Sequence, residues 1–376
     1  MISKQMEEFI KAHEKEACEL LLALAKIPAP SNHEEKRAEF CSRWLKAQGA
    51  RGVYIDEALN VIYPVQAAEN PPVEVYMAHT DVVFPDETEL PLTEDDERIH
   101  CPGVGDDTAC LAALLLTAKF IAKSIEDGTW QELRGPGAPG LILVCNSGEE
   151  GLGNLKGVRA ICEAFGSRMT SFCTFDGQMD HIVDKAVGSN RYKVILRTQG
   201  GHSFSHFGND NAIEKLAAII VKLYGISVPE GGKTTYNVGL ISGGTSVNTI
   251  AQQAEMLYEF RSDVKANLTY MEREFLAVIE AARKDGLDVS YEIIGVRPCA
   301  GDVDADRQGA LLERAMRATK TGTGSRPLTS SGSTDCNIPL SLGIPSVCVG
   351  AYMGAGAHTR EAFSTYSSLV WAPAPI

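Results

Sequence analysis

Val73-Glu74-Val75-Tyr76-Met77-Ala78-His79-Thr80-Asp81 runs from an apolar stretch straight into an imidazole and a carboxylate two residues apart. The first five residues have the composition of a strand, so His79 and Asp81 are expected together at its carboxyl end. Moving outward, the same succession recurs. Residues 106–123 follow a helical pattern, and 141–145 read as a short buried strand that ends in Asn146-Ser147-Gly148-Glu149-Glu150-Gly151. Residues 154–165 read as a helix, and 172–175 as a strand that ends at Asp176-Gly177. Strands alternating with helices indicate an α/β layer with parallel pairing, and such sheets gather their ligands at the carboxyl ends of the strands.

Toward the N-terminus, Met6, Phe9, Ile10, Ala17, Leu20, Leu21 and Leu24 recur at helical spacing and predict one amphipathic helix ending before Pro28. Ser31 with Glu34 has the spacing of a capping box for a second helix, with Phe40, Trp44 and Leu45 as its apolar stripe and Gly49 as its stop. Residues 53–55 and 61–65 read as strands.

Toward the C-terminus the pattern changes at Tyr192. A strand (192–198), a helix (210–224), two strands (235–241 and 254–262), a helix (266–285) and a strand (288–295) give the β-α-β-β-α-β order of a ferredoxin-like unit. After Arg297-Pro298 the α/β character resumes, with a helix near 308–320 and a buried strand at 345–349. The expected organisation is therefore a discontinuous α/β domain, 1–188 plus 297–376, interrupted by an inserted domain at 189–296.

The 376 residues suit two domains with a large core. The 35 Lys and Arg against 49 Asp and Glu leave a net charge of −14, which disfavours nucleic acid and anionic membrane surfaces as partners. The most apolar run, 111–118, is cut by Lys119 and falls short of the ~20 residues of a membrane span. The first residues include Lys4, Glu7, Glu8 and Lys11, unlike a secretory leader, so a cytoplasmic location is expected. Ten cysteines include no CxxC pair, which indicates neither a disulfide framework nor a thiolate zinc site.

The chemistry gathers at strand ends. Besides His79 and Asp81, the turn Gly103-Val104-Gly105-Asp106-Asp107 and the turn Gly148-Glu149-Glu150-Gly151 place adjacent carboxylates between glycines, and Gly356-Ala357-His358 supplies a second imidazole. Taken singly, each has a bland reading. A lone histidine after a strand is more often a satisfied polar residue, and adjacent acids such as Glu7-Glu8 or Asp95-Asp96 are solvated charges. The shared setting, an apolar strand followed by small residues, favours a site. Two histidines with three or more carboxylates are the N and O donors of a two-metal hydrolytic centre suited to Zn, Mn or Co. Gly148, Gly151 and Gly153 lack the spacing of a dinucleotide-binding turn, and no HExxH, GxSxG or P-loop sequence occurs.

In chain order, His79-Thr80-Asp81, Gly105-Asp106-Asp107, Gly148-Glu149-Glu150, Asp176-Gly177, Gly201-His202-Ser203 with Asn211-Ala212, Ser331-Gly332-Ser333-Thr334-Asp335 and Ala357-His358 resemble metallopeptidase family twenty. This family of peptidases, dipeptidases and N-acyl-amino-acid deacylases has a di-zinc exopeptidase-type α/β domain with a mixed, mainly parallel sheet and an inserted lid and dimerisation domain. The resemblance implies His79 and Asp176 on one metal, Glu150 and His358 on the other, and Asp106 as the bridge. It implies a cis peptide at Asp106-Asp107 and Asp81 as acceptor of the other ring N–H of His79. Glu149 becomes the general base and acid, and His202, rather than His206, the lid histidine that reaches a neighbouring subunit's site. Asn248, Arg261 and Ser333 become substrate-binding residues. The implied cofactors are two divalent ions, zinc first with cobalt or manganese as alternatives, and the implied assembly is a homodimer through the lid.

Two positions depart from the family pattern, Thr108 in place of a lysine and Ala251 in place of a proline. Because the resembling deacylases have Glu where this chain has Asp176, the expected substrate is a short free peptide cleaved at its N-terminal residue. The alternatives are an N-acyl amino acid and, from another class, a silent binding homologue, against which the filled ligand positions argue.

Overall fold

The computed structural model describes residues 4–67 and 72–366. The chain divides into two compact units, Met1–Ala186 with Gly301–Ile376, and Val187–Ala300. The first is an α/β unit. Its eight-stranded sheet runs in the order Tyr54–Ile55, Val61–Val65, Gly140–Asn146, Val73–His79, Met169–Phe175, Ser346–Val349, His181–Ala186, Leu328–Gly332. The four strands from Gly140–Asn146 to Ser346–Val349 are mutually parallel, while Val61–Val65 and His181–Ala186 flank them antiparallel. The sheet is mixed and mainly parallel, and the central strands Val73–His79 and Gly140–Asn146 are buried along their whole length, as parallel strands covered on both faces must be.

Helix Cys110–Glu126 fills the core beside Leu20, Leu21 and Leu24 of helix Glu14–Ala25 and Leu45 of helix Glu35–Ala47. Counted with the turn before it, Val104–Glu126 is long and apolar enough to cross a bilayer, contrary to the length read from sequence, but 83% of its most apolar window is buried in the protein. Lys119, which ends the apolar run 111–118, lies within the helix as expected, and its ammonium meets Glu16 at 2.6 Å.

Several local expectations are corrected. The first helix is two, Lys4–Ala12 and Glu14–Ala25, parted at His13, which has non-helical backbone angles. The helix expected at 106–123 begins only at Cys110, because Asp106 and Asp107 have non-helical angles; the peptide between them is cis, as the resemblance implied. Ser31 caps nothing. The N-cap of the next helix is Glu34, and the Ser31 hydroxyl points elsewhere. Strands His181–Ala186 and Leu328–Gly332 were not expected. Nor was a four-stranded antiparallel sheet made of Thr93–Glu94, Arg98–His100, Phe363–Thr365 and Gly354–Ala355.

The second unit is a four-stranded antiparallel sheet in the order Thr234–Gly243, Gln253–Ser262, Gly188–Arg197, Asp288–Arg297, with helices Ala212–Tyr224 and Lys265–Lys284 in the β-α-β-β-α-β sequence. Its core is the helix-facing side of the sheet. There Tyr192, Tyr258 and Phe260 pack around Phe275, with ring centroids 4.3–6.5 Å apart. Ser189 in the first strand is the register partner of Arg297 in the last.

Candidate metal centre

The carboxyl ends of the parallel strands bring the acidic and imidazole groups together. His79, the last residue of its strand, is fully buried, and its main-chain N–H donates to Asp107 Oδ2 at 2.9 Å. Its Nδ1 lies 3.0 Å from the Asp81 carbonyl oxygen and 3.4 Å from Asp81 Oδ1, so the main-chain oxygen is the nearer partner, not the carboxylate expected from sequence. A carbonyl can only accept, which places the proton on Nδ1 and leaves the lone pair of Nε2 free to bind a metal.

The Asp81 carboxylate does a different job. It accepts the Ser31 hydroxyl at 2.7 Å and the main-chain N–H groups of Glu149 and Glu150 at 3.0 and 2.9 Å. Asp81 thus ties the loop after one strand to the loop after its neighbour. Burial disfavours its charge, but His79 and these donors outweigh burial and hold its carboxyl below the usual range.

Asp106 faces both imidazoles. Its Oδ1 lies 3.3 Å from His79 Nε2 and its Oδ2 3.1 Å from His358 Nε2, with Glu150 Oε1 3.4 Å from the same His358 nitrogen. Two donor clusters, each with ligand atoms within 4.8 Å of one another, follow: Asp106, Glu150 and His358, and His79, Asp107 and Asp176. The second includes Asp107, which the sequence reading left without a role. Glu149 joins His79 and Glu150 in a third such grouping. His358 is 61% exposed and sits with a positive φ in the hairpin between Gly354–Ala355 and Phe363–Thr365. Two residues on, Arg360 clamps that hairpin to Asp86 through both guanidinium nitrogens.

The acidic groups repel one another. Burial pushes Glu150 up to about 7, opposed by His358 and helped by Asp106 and Glu149. Burial and the neighbouring Asp106 carry Asp176 well above the usual carboxylate range. The Asp106 and Glu150 carboxylates beside it push His358 up to about 10, against burial. Asp335 is buried beside Asn146, whose Nδ2 donates to it at 2.8 Å, and burial with the Glu149 charge raises it to about 7.

The residues fit a pair of divalent cations. Buried His79 Nε2, Glu150 Oε1 and Asp107 Oδ1 have no hydrogen-bond partner among the described residues, which is costly for polar atoms unless something else binds them. The donors are imidazole nitrogens and carboxylate oxygens, the set that suits Zn, Mn or Co.

The remaining predicted residues lie elsewhere. His202 is exposed in the second unit, its strand pairing with Thr249–Ile250, and the main-chain oxygen of Asn248 accepts from Ser203 N at 3.0 Å, so His202 and Asn248 are neighbours. Arg261 lies at the other end of Gln253–Ser262, its guanidinium forked onto Glu259 at 3.0 and 3.1 Å. Ser333 follows the edge strand Leu328–Gly332, two residues before Asp335.

Nitrogen and oxygen donors converging on neighbouring points at the carboxyl edge of a mainly parallel sheet are the layout of metal-dependent hydrolases. Comparison with known proteins narrows this class. Residues 186–286 match the family model described as a peptidase dimerisation domain. Among curated proteins, an uncharacterized Bacillus subtilis protein, YqjE, is 25% identical over 360 residues, covering 89% of this chain and 90% of its own length. A Nitrosococcus oceani succinyl-diaminopimelate desuccinylase is 24% identical over 294 residues, covering 72% and 73%. A solved tripeptidase from Staphylococcus aureus shares the fold with a TM-score of 0.70 at 21% identity, over 96% of each chain. The match over the inserted unit and the shared fold are consistent with metallopeptidase family M20.

Proposed function

We propose that this chain is a di-metal amidohydrolase that releases the N-terminal residue of short peptides. The observation that supports it most is the placement of Asp106, each of whose oxygens faces a different imidazole, His79 or His358. On this reading His79 and Asp176 hold one ion, Glu150 and His358 the other, and Asp106 spans both, with zinc proposed and cobalt or manganese as alternatives. The ions, when bound, acidify water and polarise the scissile carbonyl.

The protein's own groups do the rest. Glu149, with its main-chain N–H fixed by Asp81, takes a proton from the attacking water and returns it to the leaving amine. His202 donates to the developing oxyanion. Asn248, Ser333 and Arg261 bind the substrate's polar ends, with a substrate carboxylate replacing Glu259 on the Arg261 fork.

The geometry of the second unit supports a homodimer. Eight residues of extended strand, about 26 Å, separate Arg261 from the end of the strand nearest His202 and Asn248. A tripeptide spans only about 10 Å. If all three residues serve one substrate, a second copy has to supply part of the set, which favours a dimer. Ten free cysteines, nine of them buried, support a reducing, cytoplasmic setting.

Asp176 is what favours free peptides, and the desuccinylase relative favours a second reading, N-acyl amino acids. Mass spectrometry of a mixed panel of di- and tripeptides and N-acetyl or N-succinyl amino acids, with Zn-, Co- or Mn-loaded protein, separates them. Release of N-terminal residues from free peptides is expected; cleavage of the acylated compounds alone would assign the second reading.

A further inference from the structure

Arg37 is the largest fully buried side chain among the described residues, on the inner face of helix Glu35–Ala47. No carboxylate among the described residues lies within 4.0 Å of it, which is unusual for a buried cation, since a buried charge normally requires a direct partner. Its fork is spent on four oxygens. Nη2 donates to the carbonyls of Leu24 and Ile27 at 3.1 and 2.9 Å, and Nη1 to the Thr80 carbonyl at 2.7 Å and the Thr108 hydroxyl at 3.3 Å.

These last two acceptors belong to the loops that present the metal donors. Thr80 stands between His79 and Asp81, and its N–H and hydroxyl both donate to the Asn146 carbonyl, at 2.7 and 2.8 Å. Its peptide is therefore fixed from both sides. Thr108 follows Asp107, and its hydroxyl donates to the Gly103 carbonyl at 2.7 Å, closing the turn that holds Asp106. One planar guanidinium thus sets the spacing between the His79 loop and the Asp106 loop, with the end of helix Glu14–Ala25 as its anchor.

We propose that Arg37 is a positioning residue for the metal centre, locking the His79 and Asp106 loops to one rigid fork so that their donors meet the same ion. The proposal rests on the di-metal reading above. A lysine cannot reproduce it, because an ammonium on a flexible stem does not hold four acceptors in one plane. Burial holds the Arg37 guanidinium below its usual range, and Asp81 and Asp107 offset that only in part.

The test compares divalent-ion affinity, by chelator competition with Zn and Co, and the visible spectrum of the Co-loaded protein, in wild type, Arg37→Met, Thr108→Val and Leu45→Ala. Leu45 is a buried neighbour on the same helix with no contact to the fork, so its truncation reports destabilisation alone. The expected result is at least tenfold weaker ion binding and an altered Co spectrum in Arg37→Met, with kcat reduced and KM within twofold, and wild-type affinity in Leu45→Ala. Wild-type affinity in folded Arg37→Met, or equal weakening in Leu45→Ala, would overturn the proposal. Should Arg37→Met not fold, Thr108→Val decides: weaker binding supports the proposal and unchanged binding overturns it. Wild-type protein that binds no divalent ion would instead refute the metal reading itself, and this proposal with it.

Discussion

Asp81→Asn is the sharpest probe of how the site is held, because it changes one oxygen to an NH2 group and leaves the shape alone. The carboxylate accepts from Glu149 N at Oδ1, and from Glu150 N and the Ser31 hydroxyl at Oδ2. An asparagine can keep only one of those oxygens. If its nitrogen takes the Oδ1 place, it faces the N–H of Glu149; if it takes the Oδ2 place, it faces the N–H of Glu150, while Ser31 can turn to accept. Either way one buried main-chain N–H loses a charged acceptor and meets a donor. A hydrogen bond to a charged group contributes about 1.5–3 kcal/mol. Spent on the placement of the Glu149-Glu150 loop, that is a loss of roughly 10- to 150-fold. We expect Asp81→Asn to weaken divalent-ion binding and lower kcat within that range, with KM nearly unchanged. Chelator competition and steady-state kinetics on the peptide that the wild type cleaves fastest measure both. A folded variant with wild-type ion affinity and kcat would refute the view that Asp81 acts through the two main-chain N–H groups.

Three further outcomes are expected. Glu149→Ala should keep its metal content, measured by elemental analysis, and lose about 100- to 10,000-fold in kcat, the usual range for a general base; near-normal turnover would remove Glu149 from that role. His358→Ala should bind one divalent ion per chain in place of two, and retention of both would exclude His358 as a ligand. Glu74 tests the opposite edge of the sheet. Burial raises its carboxyl, but Arg314 at 2.8 Å and Arg134 at 3.2 Å outweigh burial and hold it below the usual value, so its contribution is present at neutral pH and lost as pH falls through its folded pKa. Glu74→Gln should cost about 1–3 kcal/mol at pH 7, a few degrees in Tm, and flatten the acid side of the stability curve below about pH 5; an unchanged acid limb would refute the assignment.

What the sequence makes legible here follows from periodicity. Apolar strands such as 73–77 and 141–145 announce themselves, and whatever chemistry follows them is at a sheet edge. The partners that hold that chemistry in place are not announced. Ser31 meets Asp81 across fifty positions of sequence, and its spacing to Glu34 mimics a helix cap, so the local reading wins until the tertiary contact is seen. Asp107 looks like the twin of Asp106, and nothing in the sequence shows that its carboxylate receives the His79 N–H. Strands of two or three residues, such as those around His358, are too short for any alternation to register. The helix expected at 106–123 shows the converse error, since extending the periodicity that begins at Cys110 back over Asp106-Asp107-Thr108 takes in poor helix formers that belong to the turn.

Ser189 pairs with Arg297, so the first and last strands of the second unit bring its two chain ends side by side. Because the two ends of the second unit are held side by side by their own strands, a short turn could bridge the gap in their stead without asking the α/β chain to change course. The inserted unit thus has the chain geometry of a module that can be cut out and replaced by a turn.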